Sequence, residues 1–304
     1  MPRFIACLYL ASAMLMTGAN VPIGKIVVQT LPVTAFTFLR FAAASLVLAV
    51  LAHRETGARL TDLTGRDWLD VGAMSLLGMV LYTIFILEGV KRTSGVDAGI
   101  ILATLPAVVA LLGAVFLRER PSPTQLIAVL MAAGGVALIL VRAPQAATAA
   151  AGTLLGDLLV GAAVLGEAAF VLLSRRLSAV LSPVRLALAG SVSACLLALP
   201  VALGSAELWR LAAVPAATWM LAGWYTLSAS ILCLVLWYRG VGHVETWMAG
   251  VCTACLPLAA LAVSVLVLGE PLSWAQTAGA ALVVLAIATG SLLPHGSGRS
   301  SART

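Results

Sequence analysis

Charge is scarce in this chain. Asp, Glu, Lys and Arg make up only 10% of its 304 residues, and 62% are hydrophobic. A soluble domain carries about 25% charged residues. The net charge of +6 does not signal a nucleic-acid partner, because no basic run exceeds two residues (Lys91-Arg92, Arg175-Arg176). Alternating polar and apolar segments are lacking too, which excludes a transmembrane β-barrel. There is no paired-carboxylate motif, G-x-S-x-G, P-loop or H-E-x-x-H, so nothing reads as catalytic and ATP-driven transport by this chain alone is not expected. The five cysteines, Cys7, Cys195, Cys233, Cys252 and Cys255, all lie inside apolar segments. Cys252 and Cys255 form a C-x-x-C, but no second pair accompanies it and His243 is the only histidine nearby. They read as small packing residues, and neither a metal nor a cofactor is expected.

What the chain has instead is a series of apolar runs, each close to the roughly 20 residues a helix needs to cross a bilayer. Helix is the expected form, since each backbone polar group must be satisfied within its own segment. The runs predict an all-α membrane protein of ten transmembrane helices, at about 4–24, 33–52, 68–88, 94–117, 123–141, 153–174, 184–203, 217–238, 244–268 and 272–293. Arg3 and the apolar stretch after it imitate a signal peptide. We read the stretch as the first span, because removing it would unbalance the repeat described below. Alternate connections carry unequal positive charge. Lys25, Lys91, Arg92, Arg142 and Arg210 fall on one side, and the other Lys and Arg, except Arg40 within a span, fall on the opposite side. This bias of twelve to five predicts that both termini are cytoplasmic. A multi-pass protein of the cell membrane, a bacterial inner membrane, is expected.

Laid on itself at a shift of 151 residues, the chain matches without gaps over most of a half. Pro32 meets Pro183, Trp68 meets Trp219, Gly72 meets Gly223, and Gly89-Val90 meets Gly240-Val241. Leu105-Pro106 meets Leu256-Pro257, Glu119 meets Glu270, Ser122 meets Ser273, and Gln125 meets Gln276. Such residues do not coincide in one frame merely because a sequence is rich in Leu and Ala. The units are 1–142 and 153–293, followed by a disordered cytoplasmic tail at 294–304. Five spans per unit is an odd number, so the second unit would enter the membrane from the opposite side. That inverted-topology repeat underlies alternating access in many secondary transporters.

At these positions the sequence resembles the drug/metabolite transporter superfamily, in particular its EamA-type ten-span members. The resemblance rests on Gly18-Ala19-Asn20 with Lys25, on Pro32 and Phe38-Leu39-Arg40, and on Thr93 to Pro121 with Leu117-Arg118-Glu119-Arg120. It also rests on Gly156-Asp157 and Gly269-Glu270-Pro271. Thr17 and Glu167 stand where the family commonly has Trp. The resemblance implies a cavity lined by spans 1, 3, 4, 6, 8 and 9, and export of metabolites, amino acids or drugs.

Glu167 is the sharpest candidate site residue. It lies 14 residues beyond Thr153, roughly 21 Å along the helix at 1.5 Å per residue. An acid at that depth must be paired, hydrated or protonated. It reads as a proton site or as the partner of a cationic substrate group, against the alternative of a protonated side chain bonded to a neighbouring helix. Asn20, with Pro22 and Gly24, is expected to interrupt the first span, either to meet substrate or to bond another helix. Arg40 either attracts anions or snorkels to the interface. Tyr82 is a candidate cavity residue. Gly99, Ala103 and Pro106, repeated as Gly250, Ala254 and Pro257, form a small-residue face with a proline and are expected to serve packing and flexing. The expected partners are a small-molecule substrate, protons and the lipid bilayer, with no nucleic acid; the sequence leaves monomer and homodimer open. The function expected is a secondary transporter, with an intramembrane enzyme or a non-transporting scaffold as the alternatives.

Overall fold

The computed structural model describes residues 1–55, 60–90, 92, 101–102, 104–118, 122–140, 154–204, 211, 214–266 and 273–292. The connection expected around residues 142–152 and the tail at 294–304 lie outside the described residues. Those described are helical, with no strand among them. The first half contains α1 (Arg3–Ala19), α2 (Val21–Thr30), α3 (Val33–His53), α4 (Gly65–Ser75), α5 (Tyr82–Val90), α6 (Leu105–Phe116) and α7 (Pro123–Leu140). The second contains α8 (Leu154–Leu177), α9 (Pro183–Gly204), α10 (Ala216–Tyr225), α11 (Cys233–Val241), α12 (Thr246–Thr253), α13 (Cys255–Leu266) and α14 (Trp274–Leu292). A π-helical turn, Leu76–Leu81, joins α4 to α5, and a second, Thr226–Leu232, joins α10 to α11. Among the described residues, five helical stretches are long and apolar enough to cross a membrane: Val33–His53, Gly65–Ile86, Leu154–Leu177, Pro183–Gly204 and Ala216–Val241.

Several of the residues that match at a shift of 151 have identifiable structural tasks. Ser122 and Gln125 form a reciprocal cap at the start of α7: the Ser122 backbone N–H donates to Gln125 Oε1 at 2.7 Å, and the Gln125 N–H donates to Ser122 Oγ at 3.4 Å. Ser273 and Gln276 do the same for α14 at 3.0 and 3.2 Å. Each cap satisfies amides that a helix start leaves without partners. Pro32 and Pro183 stand at the starts of α3 and α9, where a missing N–H is harmless. Trp68 and Trp219 are both exposed near helix starts, as interfacial anchors are.

Gly89 and Gly240 mark close approaches between the halves. A Cβ at Gly89 would lie 2.8 Å from Val160 Cγ2 and 3.2 Å from the Gly156 carbonyl oxygen on α8. A Cβ at Gly240 would lie 2.7 Å from the Ala6 carbonyl oxygen on α1. Each glycine therefore lets α5 or α11 touch the first helix of the other half.

The packing carries the same exchange throughout. Helix α1 packs on α11, α12, α13 and the second π-turn, all in the second half. Helix α8 packs on α4, the first π-turn, α5 and α6, all in the first half. Like elements also pair across the halves, α3 with α9 and α7 with α14. One core cluster runs through both halves, with Trp237 and Tyr238 fully buried.

Polar contacts gather one end of the bundle. Arg3 pairs with Glu245 at 3.2 Å and stacks over Trp247 at 5.1 Å. Arg176 pairs with Asp70 at 2.5 Å. Ser182 and Arg185 donate to the Glu55 carboxylate and carbonyl respectively. Arg175 donates from Nε to the Val244 carbonyl oxygen at 2.7 Å. All of these links but the last join the two halves. At the far end, Thr30 and Thr218 share a hydrogen bond of 3.2 Å. The outer surface carries large apolar side chains, including Leu46, Leu69, Leu154, Met220 and Phe116 at 71–75% exposure. That is the surface of a chain solvated by lipid rather than by water.

Candidate functional site

The site begins at two breaks in regular helix. The first helix stops at Ala19, and Asn20 (φ −81°, ψ −7°) carries the chain into α2, with Pro22 in that helix's first turn. Pro22 cannot donate a backbone hydrogen bond, which accounts for the interruption. Asn20 is 3% exposed; its Nδ2 donates to Met16 O at 2.8 Å and to Ser228 Oγ at 2.9 Å. Ser228 belongs to the second π-turn. One helical turn before Asn20, Thr17 Oγ1 lies 3.0 Å from Cys233 Sγ, and Cys233 also donates to Ala13 O at 3.4 Å. The end of α1 is thus pinned to the second π-turn and the start of α11. Asn20 bonds a neighbouring helix, and its Oδ1 is buried without a hydrogen-bond partner.

The first π-turn packs against α8 in a comparable way. A Cβ at Gly166 would lie 2.6 Å from the Leu77 carbonyl oxygen, and one at Gly78 would lie 2.2 Å from Phe170 Cβ. This contact holds the next residue, Glu167, toward the bundle interior. Glu167 is part-exposed and forms no hydrogen bond or ion pair with the described residues. Tyr82, Cys233 and Tyr238 lie within its electrostatic reach. Tyr82 opens α5 directly after the π-turn and is also within reach of Arg40 and Tyr225.

Arg40 occupies an aromatic cradle on α3. Its guanidinium carbon is 4.4 Å from the Phe41 ring centroid, 5.6 Å from Tyr225 and 5.9 Å from Phe36. Its Nη2 makes one long hydrogen bond, 3.4 Å, to Thr83 Oγ1. Nε is buried without a partner, and no acid pairs with Arg40 among the described residues. Ring faces attract a cation without neutralising it, so the guanidinium keeps donors for an anionic group. Arg40 lines a cavity of about 230 Å³ with Leu31, Phe36, Trp219, Gly223 and Thr226. Glu167 does not line that cavity. Arg40 and Glu167 come from opposite halves, and both lie near Tyr82.

The small-residue face is seen in part. Gly99 and Ala103 lie outside the described residues. Pro106 is in the first turn of α6, after a break at Thr104, and Ala254 separates α12 from α13. A Cβ at Gly250 would lie 2.9 Å from Val109 Cγ1 and 3.2 Å from the Pro106 carbonyl oxygen, so α12 and α6 pack closely there. The Pro257 side chain lies outside the described set; its backbone is in the first turn of α13. Both prolines therefore follow a helix break and do not bend a continuous helix. Among the described residues, no group of three or more His, Cys, Asp or Glu could hold a metal ion.

Two segments, residues 4–141 and 154–291, each match the model of the EamA-like transporter family. The chain belongs to that family. EamA-like proteins similar to it include the uncharacterized transporter YetK of Bacillus subtilis strain 168, 33% identical over 276 residues that cover 90% of this chain and 83% of YetK. An uncharacterized transporter of Archaeoglobus fulgidus is 26% identical over 272 residues, covering 86% of this chain and 90% of that protein. A solved crystal structure superposes with a TM-score of 0.76 at 22% identity, over 95% of this chain and 99% of the other, and shares the fold. The two family matches end within a few residues of the repeat read at a shift of 151. The chain is thus a multi-pass membrane protein of a transporter family.

Sequence reasoning missed Thr17, Ser228 and Cys233 as the polar partners of the α1 break. They are small residues inside apolar runs, and nothing local in the sequence distinguishes them. The π-turns that align them leave no compositional mark either.

Proposed function

We propose that the protein is a secondary transporter that exports a small metabolite, amino acid or drug-like molecule by alternating access. In this reading ten spans form two inverted-topology repeats in the cell membrane, with both termini cytoplasmic. The repeated element bounds, the exchange of first helices between halves and the gathering of residues 3, 55, 70, 176 and 245 at one end support the topology. An odd number of spans in each half would bring those residues to one face, where the excess of Lys and Arg also falls.

The observation that carries the functional reading is Glu167. A carboxyl group in the interior of a membrane helix, without a hydrogen bond or ion pair among the described residues, is costly unless a ligand or a proton satisfies it. Arg40 offers a complementary charge from the other half, and Tyr82 lies near both. Asn20 stands at the break between α1 and α2 and bonds Ser228 of the second half. Substrate groups of either sign would find a partner, and a proton on Glu167 would substitute for a substrate cation. Reconstitution in proteoliposomes tests the proposal. Amino acids and cationic dyes loaded inside should leave faster than from empty liposomes, and faster with a pH gradient. No flux above the empty-liposome rate with any of them would count against it.

A further inference from the structure

A second cavity, of about 380 Å³, lies between α6 and α8 at the end of the bundle that holds the cross-half ion pairs. Its walls are Leu112, Phe116, Leu117, Ala169, Leu172 and Leu173, and Arg66 and Arg176 stand at its rim. It faces away from the candidate substrate site. On α8, Ala169 continues a stripe through Leu154, Leu158 and Leu165, which are 74%, 62% and 55% exposed, while Leu172, at 8%, forms the buried floor of the cleft. At 100° per residue that stripe is on the side of the helix opposite Glu167. On α6, Leu111, Val115 and Phe116 are exposed at 62%, 61% and 71%. In a membrane protein this face meets the hydrocarbon of the bilayer.

We propose that this cleft binds an anionic phospholipid, with an acyl chain along the apolar walls and the headgroup phosphate between Arg66 and Arg176. The apolar lining on a bilayer-facing surface selects a lipid tail over a soluble ion. The rim selects the headgroup. Arg66 is exposed and makes no hydrogen bond or ion pair among the described residues. Arg176 is held over the cleft by one Nη to Asp70, and a guanidinium has further donors in a fork that suits phosphate. The acids nearby are accounted for: Asp70 holds Arg176, and Asp67 is tied into the cap of α4 through Thr64. Exposed Trp68 marks the headgroup level beside Arg66. The proposal rests on membership of a membrane family and not on the identity of the substrate.

Native mass spectrometry of the full chain in detergent, with phosphatidylglycerol or phosphatidylcholine added, tests it. Each arginine near the headgroups should contribute about a fivefold preference for the anionic lipid. Arg66→Gln with Arg176→Gln should abolish that preference, whereas the matching Lys variants should keep much of it. Ala169→Trp fills the cleft without altering charge and should displace the lipid; it also serves if the Gln pair fails to fold, as judged by circular dichroism. Equal retention of both lipids by the wild type, or unchanged binding in Ala169→Trp, would overturn the proposal. So would displacement of phosphatidylglycerol by millimolar inorganic phosphate, which would indicate a phosphate site. Dimers that exclude lipid and dissociate on Phe116→Arg would show the face to be a contact between copies instead.

Discussion

Replacing Glu167 by Gln keeps the side chain's size and removes its ability to carry charge or exchange a proton. The carboxyl makes no hydrogen bond or ion pair with the described residues, so the substitution breaks no such bond among them. An ionised residue at the centre of a span costs about 2.5–3.5 kcal/mol on insertion scales. Thermal stability should therefore be unchanged or higher. The effect should appear in transport. If Glu167 pairs with a cationic substrate group, the lost charge-assisted hydrogen bond is worth about 1.5–3 kcal/mol, or roughly a tenfold to hundredfold rise in KM. If it carries a proton, flux should lose its dependence on the pH gradient. Glu167→Asp should retain part of the activity, because the charge remains but sits one methylene back. The assay is proteoliposome efflux of one substrate at several internal concentrations, with and without a gradient. Wild-type KM together with unchanged gradient dependence in the Gln variant would refute the reasoning and make Glu167 structural.

Gly18→Ala should lower the melting temperature in detergent by a few degrees. Its Cβ would sit 2.1 Å from the Leu256 carbonyl oxygen, an overpacking worth about 1–3 kcal/mol, whereas Gly223→Ala, with nothing within 4 Å, should be neutral or stabilising. Glu245→Gln should destabilise by about 1–3 kcal/mol, less than for a fully buried pair because Glu245 keeps 20% side-chain exposure. Reversing both charges, Arg3→Glu with Glu245→Arg, should restore part of the loss in the same melting assay. Single cysteines at Ser297 and Thr148 test the topology in intact cells: an impermeant thiol reagent should label position 148 and spare 297, and the opposite pattern would overturn the orientation.

Most helix extents are legible in the sequence because apolar runs stop at charges, prolines and glycines. The run expected at 33–52 is α3, Val33–His53, and the one at 184–203 is α9, Pro183–Gly204. The break in the first span is legible from Asn20 and Pro22, since a missing N–H acts locally. Where the break leads is not. The apolar run predicts a first span at 4–24, whereas α1 ends at Ala19 and α2 runs on to Thr30. The sequence pattern leads one to expect packing and flexing at the prolines 106 and 257. The chain instead breaks before them, at Thr104 and Ala254, so each proline falls where its missing donor is tolerated. The aromatic cradle of Arg40 joins α3 to Tyr225, far along the chain, and a π-turn changes side-chain register without a marker residue. Both depend on tertiary packing, which local sequence patterns do not encode.

The repeat separates two kinds of residue. Several of those that match at a shift of 151 cap helices or permit close backbone contact, as Ser122 with Ser273, Gln125 with Gln276 and Gly89 with Gly240 do. Two halves of one architecture need the same framework, so these residues recur. The polar residues of the candidate site do not recur. Glu167 corresponds to Met16, Arg40 to Ser191, Asn20 to Val171 and Tyr82 to Cys233. A substrate has no two-fold symmetry, so a site shared between related halves gains nothing from duplicated charges. Two carboxylates or two guanidiniums in one small intramembrane space would repel each other and double the desolvation cost. Buried polar groups in an apolar core are otherwise unfavourable and are not retained for packing alone. Their concentration where the symmetry fails, around two π-turns that meet α1 and α8, is what distinguishes the candidate site from the scaffold that carries it.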